Sequence, residues 1–199
     1  LELGLFAKDL MRVHITTDHP NAGPFTRYPR VIKWLMSRKA REATLDTMKN
    51  KEKVIKGSDI AGMDRELGLY DIAMMTRAGP AKALGMAGIF GSLKAGADAN
   101  IAIYNLDATR LPTNPDDIEE AFSRTAYTIK EGVVVVKNGE IAAEPKGHTF
   151  WTKVNMPLNA QVMRDITEKF TKSYTVNLEN YAVFDDHVHH PRAIEVDVA

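Results

Sequence analysis

The sequence predicts an α/β chain, and three stretches carry that prediction. Val13-His14-Ile15-Thr16-Thr17 is rich in β-branched residues and reads as a strand that stops at Asp18-His19-Pro20. Pro29 then opens a segment whose apolar positions (Val31, Ile32, Trp34, Leu35, Met36) face away from Lys33, Arg38, Lys39 and Arg41, the pattern of an amphipathic helix. Farther on, two β-rich runs meet at Asn138-Gly139, the strongest short hairpin signal.

Taken in order, the strand over Val13 to Thr17 ends because Pro20 has no backbone donor and pushes His19 out of the helical region. A loop rich in turn formers (Pro20, Asn21, Gly23, Pro24) leads to the helix from Pro29, expected to run to about Lys49. Lys49 to Lys56 reads as a basic, solvated connector. Tyr70 to Met86 reads as helical, interrupted near Gly79-Pro80 and stopping at Gly85, with Met63, Met74, Met75 and Met86 as core filler. Gly91 to Asn100 is a glycine-punctuated turn before a strand over Ile101 to Tyr104. No helix or Lys-Ser/Thr pair follows it, so it is no phosphate loop. Asn114 caps a short helix through about Phe122, with Pro115 at its first position and acids in its first turn. Strands over Ala126 to Lys130, Val133 to Lys137 and Glu140 to Ala143 follow, with a further strand over Phe150 to Val154. A last amphipathic helix runs from about Leu158 to Phe170, and the tail from Thr175 is mixed and polar.

Composition excludes several function classes. The 199 residues are 44% hydrophobic, carry a formal net charge of zero and contain no cysteine. Without cysteine there is no disulfide, thiolate nucleophile or iron–sulfur ligation in this chain. A neutral chain has no strong field for nucleic acid or an anionic membrane, and no apolar run approaches the roughly 18 residues that span a bilayer. These features fit a cytoplasmic protein without membrane insertion. The start, Leu1-Glu2-Leu3-Gly4-Leu5-Phe6, has neither Met nor a basic n-region and reads as the interior of a longer protein.

The chemistry converges on Asp18, a carboxylate at the C-terminal lip of the first strand. In parallel α/β folds that lip is where active sites are built, although an Asp there also serves simply to cap the following loop. His14 reads as a structural histidine of the strand, and His148 as a loop residue. His187-Val188-His189-His190 contains a His-x-His pair of the kind that binds zinc. Its terminal position, the lack of a third ligand nearby and Pro191, expected to truncate any strand, weigh against a metal there.

Thr16-Thr17-Asp18-His19-Pro20-Asn21, followed by Gly23-Pro24-Phe25-Thr26-Arg27-Tyr28-Pro29, resembles the family of amidohydrolase-superfamily subunits found in formylmethanofuran dehydrogenase. The likeness continues through Asp71-Ile72-Ala73, Thr76-Arg77-Ala78 and Ala81-Lys82-Ala83-Leu84-Gly85. It extends through Gly91 to Tyr104 and Tyr127-Thr128-Ile129-Lys130-Glu131-Gly132, is visible at Tyr174-Thr175-Val176-Asn177, and fades after about Asp185. The glycine-rich stretch before Ile101 is general to amidohydrolases, whereas the Asp-His-Pro-Asn and Phe-Thr-Arg-Tyr-Pro pieces are narrow.

The resemblance implies the C-terminal part of a metal-dependent hydrolase TIM barrel, a small β-sandwich-like composite domain and a C-terminal helix. It divides the chain into residues 1–88 (last barrel strand and helices), 89–156 (β-domain) and 157–199 (helix and tail). Asp18 would be a catalytic residue and metal ligand of a dinuclear zinc site, with His19, Asn21 and Arg27 touching substrate. The family condenses formate with methanofuran, or hydrolyses formylmethanofuran. Other subunits supply formate, one of them carrying a tungsten or molybdenum pterin. The remaining zinc ligands lie upstream of Leu1 in the family layout, and a TIM barrel takes about 250 residues. The isolated chain is therefore expected to be incomplete and inactive. A dihydroorotase- or hydantoinase-like cyclic amidohydrolase and a non-catalytic assembly module are the alternatives, the former disfavoured by the narrow loop after Asp18.

Overall fold

Pro29 does open a helix, but the helix is shorter than its apolar pattern suggests. In the computed structural model, which describes residues 1–155 and 159–197, α1 (Glu2–Phe6) and a 3₁₀ turn (Leu10–Arg12) precede α2 (Tyr28–Met36). α2 stops at Ser37, whose backbone is extended and whose hydroxyl accepts from the Ala40 N–H at 3.3 Å, capping α3 (Arg38–Asp46). The expected single helix to Lys49 is thus two helices, because a capping serine offers the backbone a better alternative there than continuing. The Lys-rich connector contains a short exposed helix, α4 (Lys51–Lys56), closed by Gly57.

The predicted helical stretch from Tyr70 forms as α5 (Leu69–Ala73), a wide π turn (Met74–Ala78) and α6 (Gly79–Ala83), with Gly85 just past its end. The irregularity falls where Gly79-Pro80 predicts it. Pro80 has no N–H to give the Thr76 carbonyl, so the helix re-registers around it. Gly79 is also where this helix meets the chain that leads to Asp18. A Cβ on Gly79 would lie 3.0 Å from the Met11 carbonyl oxygen, 3.1 Å from His14 Cδ2 and 2.8 Å from the Met74 carbonyl oxygen.

Leu5, Leu10, Ile32, Leu35, Met36, Leu67, Ile72, Met75 and Ile118 make one buried cluster that joins these helices. Leu35 is fully buried at its centre. The Gly91–Asn100 turn leads into β1 (Ile101–Ile103), and α7 (Pro115–Ser123) starts at Asn114, whose side chain accepts from the Asp116 N–H. α7 packs on α2, where Lys33 of α2 pairs with Asp116 at 3.1 Å and with Glu119. β2 (Tyr127–Lys130), β3 (Val133–Lys137) and β4 (Glu140–Ile141) complete an antiparallel sheet of order β1-β2-β3-β4. Asn138 (φ 51°) and Gly139 (φ 82°) form the tight turn between β3 and β4.

These elements belong to a compact unit, Leu1–Glu144; a second unit spans Pro145–Ala199. In the second, β5 (Thr149–Asn155) pairs in parallel with β6 (Pro191–Asp197), Thr149 opposite Pro191. The strand expected over Phe150 to Val154 thus finds its partner in the tail and not in the antiparallel sheet. Pro191 begins a strand instead of truncating one, because the first position of a strand tolerates a missing donor. Helix α8 (Ala160–Ser173) starts at Asn159, which accepts from the Val162 N–H at 2.9 Å; Leu158, its expected start, lies outside the described residues. No helix among the described residues is long and apolar enough to cross a membrane.

Candidate active-site loop

Residues 13–17 alternate as a strand does, with Val13, Ile15 and Thr17 half-buried and His14 and Thr16 exposed. Yet they pair with no strand among the described residues, so the predicted strand is an extended segment only. The reason is topological. A strand needs an edge to pair with, and among the described residues none lies beside this segment. His14 faces the helix at Gly79, and its Nε2 lies 3.1 Å from the Met11 carbonyl oxygen. It is exposed but satisfied.

Asp18 terminates the segment in the left-handed region (φ 50°), a conformation Asp tolerates better than most residues. The turn is held by its backbone and by a neighbour. The Asp18 N–H donates to Thr16 Oγ1 at 3.3 Å, and the Asp18 carbonyl accepts from the Ala22 N–H at 3.1 Å. Among the described residues no hydrogen bond or ion pair occupies its carboxylate, which is exposed to solvent. Loop capping therefore falls to Thr16, and the Asp18 side chain is left open for other work.

The chain then folds back on itself. A cis peptide joins His19 to Pro20, and the His19 ring stacks on Phe25 with centroids 4.0 Å apart and planes 18° apart. Asn21 is exposed in the turn. A Cβ on Gly23 would sit 3.7 Å from the Thr17 carbonyl oxygen and 3.9 Å from Arg27 Cγ, so Gly23 lets the loop close with the Arg27 stem against the end of the extended segment. Arg27, at the end of a 3₁₀ turn (Phe25–Arg27), also borders a second feature. The residue lines a cavity of about 500 Å³ with Arg30, Val31 and Trp34, to which Asp18, His19 and Asn21 do not contribute.

No group of three or more His, Asp or Glu among the described residues is placed to hold a metal ion. The residues present supply one open carboxylate and do not fit a complete two-metal centre. The tail histidines do not form one either: His148 Nδ1 lies 3.1 Å from the His190 carbonyl oxygen, and the two rings meet edge-on at 6.4 Å. The β5–β6 register brings that pair together, a juxtaposition invisible without knowing that the tail forms a strand.

Sequence reasoning also misses Arg41. It is 1% exposed, lies 5.8 Å from the Trp34 ring centre and binds the carbonyls of Trp34, Met63 and Arg65 at 3.2, 3.1 and 2.8 Å. Burial pushes its guanidinium below its ordinary pKa, against the opposing charge of Glu66. The available signal is an arginine falling on the apolar side of α3 beside Ala40 and Leu45.

Residues 3–136 match the family model described as the amidohydrolase family. Protein FwdA of Methanocaldococcus jannaschii is 46% identical over 94% of this chain and 33% of its own length. The A component of the formyltransferase/hydrolase complex Fhc of Methylorubrum extorquens is 34% identical over 93% of this chain and 31% of its own. Among solved structures, a chain of the FhcABCD complex of Methylorubrum extorquens, crystallised with methylofuran, superposes with a TM-score of 0.74 at 31% identity. That match covers 98% of this chain and 34% of that one. The chain thus spans about a third of the length of the curated relatives it matches. With a family match across most of its length, the chain belongs to the amidohydrolase family, and the resemblance to the amidohydrolase subunit of formylmethanofuran dehydrogenase drawn from its motifs is borne out.

Proposed function

We propose that this chain supplies the Asp18 lip of an amidohydrolase site that forms or cleaves a formamide, condensing formate with methanofuran or hydrolysing formylmethanofuran. The observation that carries the proposal is the open Asp18 carboxylate at the end of an extended, alternating, unpaired segment. In this reading residues 13–17 are the closing strand of a TIM barrel, and their missing neighbours are the strands of the part of the relatives that this chain does not span. Asp18 would be one ligand of a zinc pair whose other ligands come from that same part. The chain's own contribution is a carboxylate held in a fixed turn, able to accept and return a proton. His19, stacked on Phe25, and Asn21 would line the approach of the substrate, and Arg27 would meet a carboxylate by paired hydrogen bonds. The partners are then the other subunits of a cytoplasmic complex, one of them carrying the tungsten or molybdenum pterin that makes formate.

A second reading, an assembly module without catalysis, draws on the apolar surface of the first unit. Leu3, Leu93 and Tyr70 are 82%, 81% and 75% exposed there. One experiment separates the two. The protein with its upstream part restored is assayed for formamide hydrolysis, with and without Asp18→Ala. Activity that vanishes in the variant, together with zinc content that falls, supports the enzyme. A variant as active as its parent sinks it.

A further inference from the structure

The strongest feature that the Asp18 loop does not use is the 500 Å³ cavity between α2, α3, α4 and the first turn of α1. Its apolar wall comes from Val31 and Trp34 of α2, Leu45 and Met48 at the end of α3, Val54 of α4, and Ile60. Its polar side chains are unbalanced. Three arginines (Arg27, Arg30 and Arg41) line it with one carboxylate, Glu2. Glu2 is already engaged, accepting from Ser58 Oγ–H at 2.8 Å and from the Asp59 N–H at 3.0 Å. Among the described residues none of the three arginines makes an ion pair.

Arg41 is the telling member. Its terminal nitrogens bind only carbonyl oxygens, which leaves its charge without a carboxylate in contact, and its Nε is buried with no partner at all. A guanidinium withdrawn from water without an anion against it is costly, as is an orphaned donor. Apolar walls, an excess of positive charge and a volume within the range of small-molecule sites together select one kind of occupant. It must bring an acid group for the arginines and an apolar body for Trp34, Leu45 and Met48.

We propose that this cavity binds a small amphiphilic carboxylate, its acid group among Arg27, Arg30 and Arg41 and its apolar body against Trp34, Leu45 and Met48. Asp18 takes no part in the site, but Arg27 is shared with the substrate contact of the amidohydrolase reading, so Arg30, which that reading does not use, tests the cavity by itself. The competing account makes Arg41 a clamp on three carbonyls and the cavity an unfilled space.

The test uses the full chain carrying Trp151→Phe, which leaves Trp34 as the only indole of the two in the sequence. Octanoate, acetate and octanol are titrated while Trp34 emission is recorded. The expected result is a saturable change with octanoate, none with acetate, and binding of octanol at least about tenfold weaker, the loss of one charge-assisted contact. Arg30→Gln, and separately Arg27→Gln, should weaken octanoate several-fold each and leave octanol unchanged. Both side chains are exposed, so neither substitution should disturb folding. No saturable change with octanoate, equal binding of octanol, or octanoate affinity unmoved in both variants overturns the proposal.

Discussion

Residues 13–17 and residues 127–141 both read as strands, and of these two stretches only the second forms a sheet. Residues 127–141 pair largely among themselves, β2 with β3 and β3 with β4, and Asn138-Gly139 folds β3 onto β4 so that Val136 lies opposite Ile141. Residues 13–17 are as β-branched as β3 and alternate between half-buried and exposed, yet stay unpaired among the described residues. An antiparallel ladder can be built from local sequence, whereas a parallel one must be completed from far away. The unpaired segment ends in an open carboxylate, and the paired one ends in a turn with no open chemistry. Self-sufficiency and the proposed function fall on different stretches.

The largest test of that contrast is Asp18→Asn in the length-restored protein. Asparagine tolerates the same left-handed backbone, so the fold should stand while formamide hydrolysis falls about 10²- to 10⁴-fold, the usual worth of a positioned acid–base group. Unchanged kcat would show the open carboxylate to be idle. Next comes the packed core, against which Val13 and Ile15 of the unpaired segment lie. Leu35→Ala removes a fully buried side chain and should cost about 2–5 kcal/mol in urea unfolding. Gly79→Ala bears on the unpaired segment and on the π turn beside it, because the new methyl meets the carbonyls of Met11 and Met74 and the ring of His14. About 1–3 kcal/mol of destabilisation is expected, with altered amide exchange over residues 11–15 but not over β2 and β3.

Gly139→Ala strikes the paired region in turn. At φ 82° a side chain is strained, and a loss of about 1 kcal/mol should appear with no change near Asp18. The smallest effect belongs to Lys33, whose pKa is raised mainly by its hydrogen bond to Glu119 and further by Asp116. A raised ammonium pKa adds stability that is complete below the unfolded value of about 10.4 and is lost as pH rises through the folded one. Lys33→Met should therefore cost about 1 kcal/mol or less at neutral pH, and nothing above the folded pKa.

Local signals are legible in the sequence wherever a residue's own chemistry decides the backbone. Asn114-Pro115 starts α7, Asn138-Gly139 turns the hairpin, and Gly79-Pro80 marks the irregular turn. Ser37 is hard to find because the apolar face of α2 continues in register into Ala40 and Leu45, which hides a capping serine inside a plausible long helix. Pro191 misleads because its strand pairs with β5, more than thirty residues earlier, and no local pattern announces that. Of the candidate loop, Asp18 is found by position, but the His19–Phe25 stack and the turn of Arg27 toward the Trp34 cavity are products of the chain folding back. Arg41 escapes notice because a charged side chain is ordinarily assigned to water.

The first seven residues are tied down by side chains that come much later. Arg65 donates to the carbonyl oxygens of Leu5 and Ala7 at 2.8 and 2.7 Å, while Glu2 accepts from Ser58 and Asp59. During synthesis the leading end of this segment must wait, its fastenings not yet translated, until that second stretch has left the ribosome. Protein made with Arg65→Ala should accordingly stay open to clipping near Leu5 by a protease added to the growing chain after the wild-type polypeptide has become resistant there.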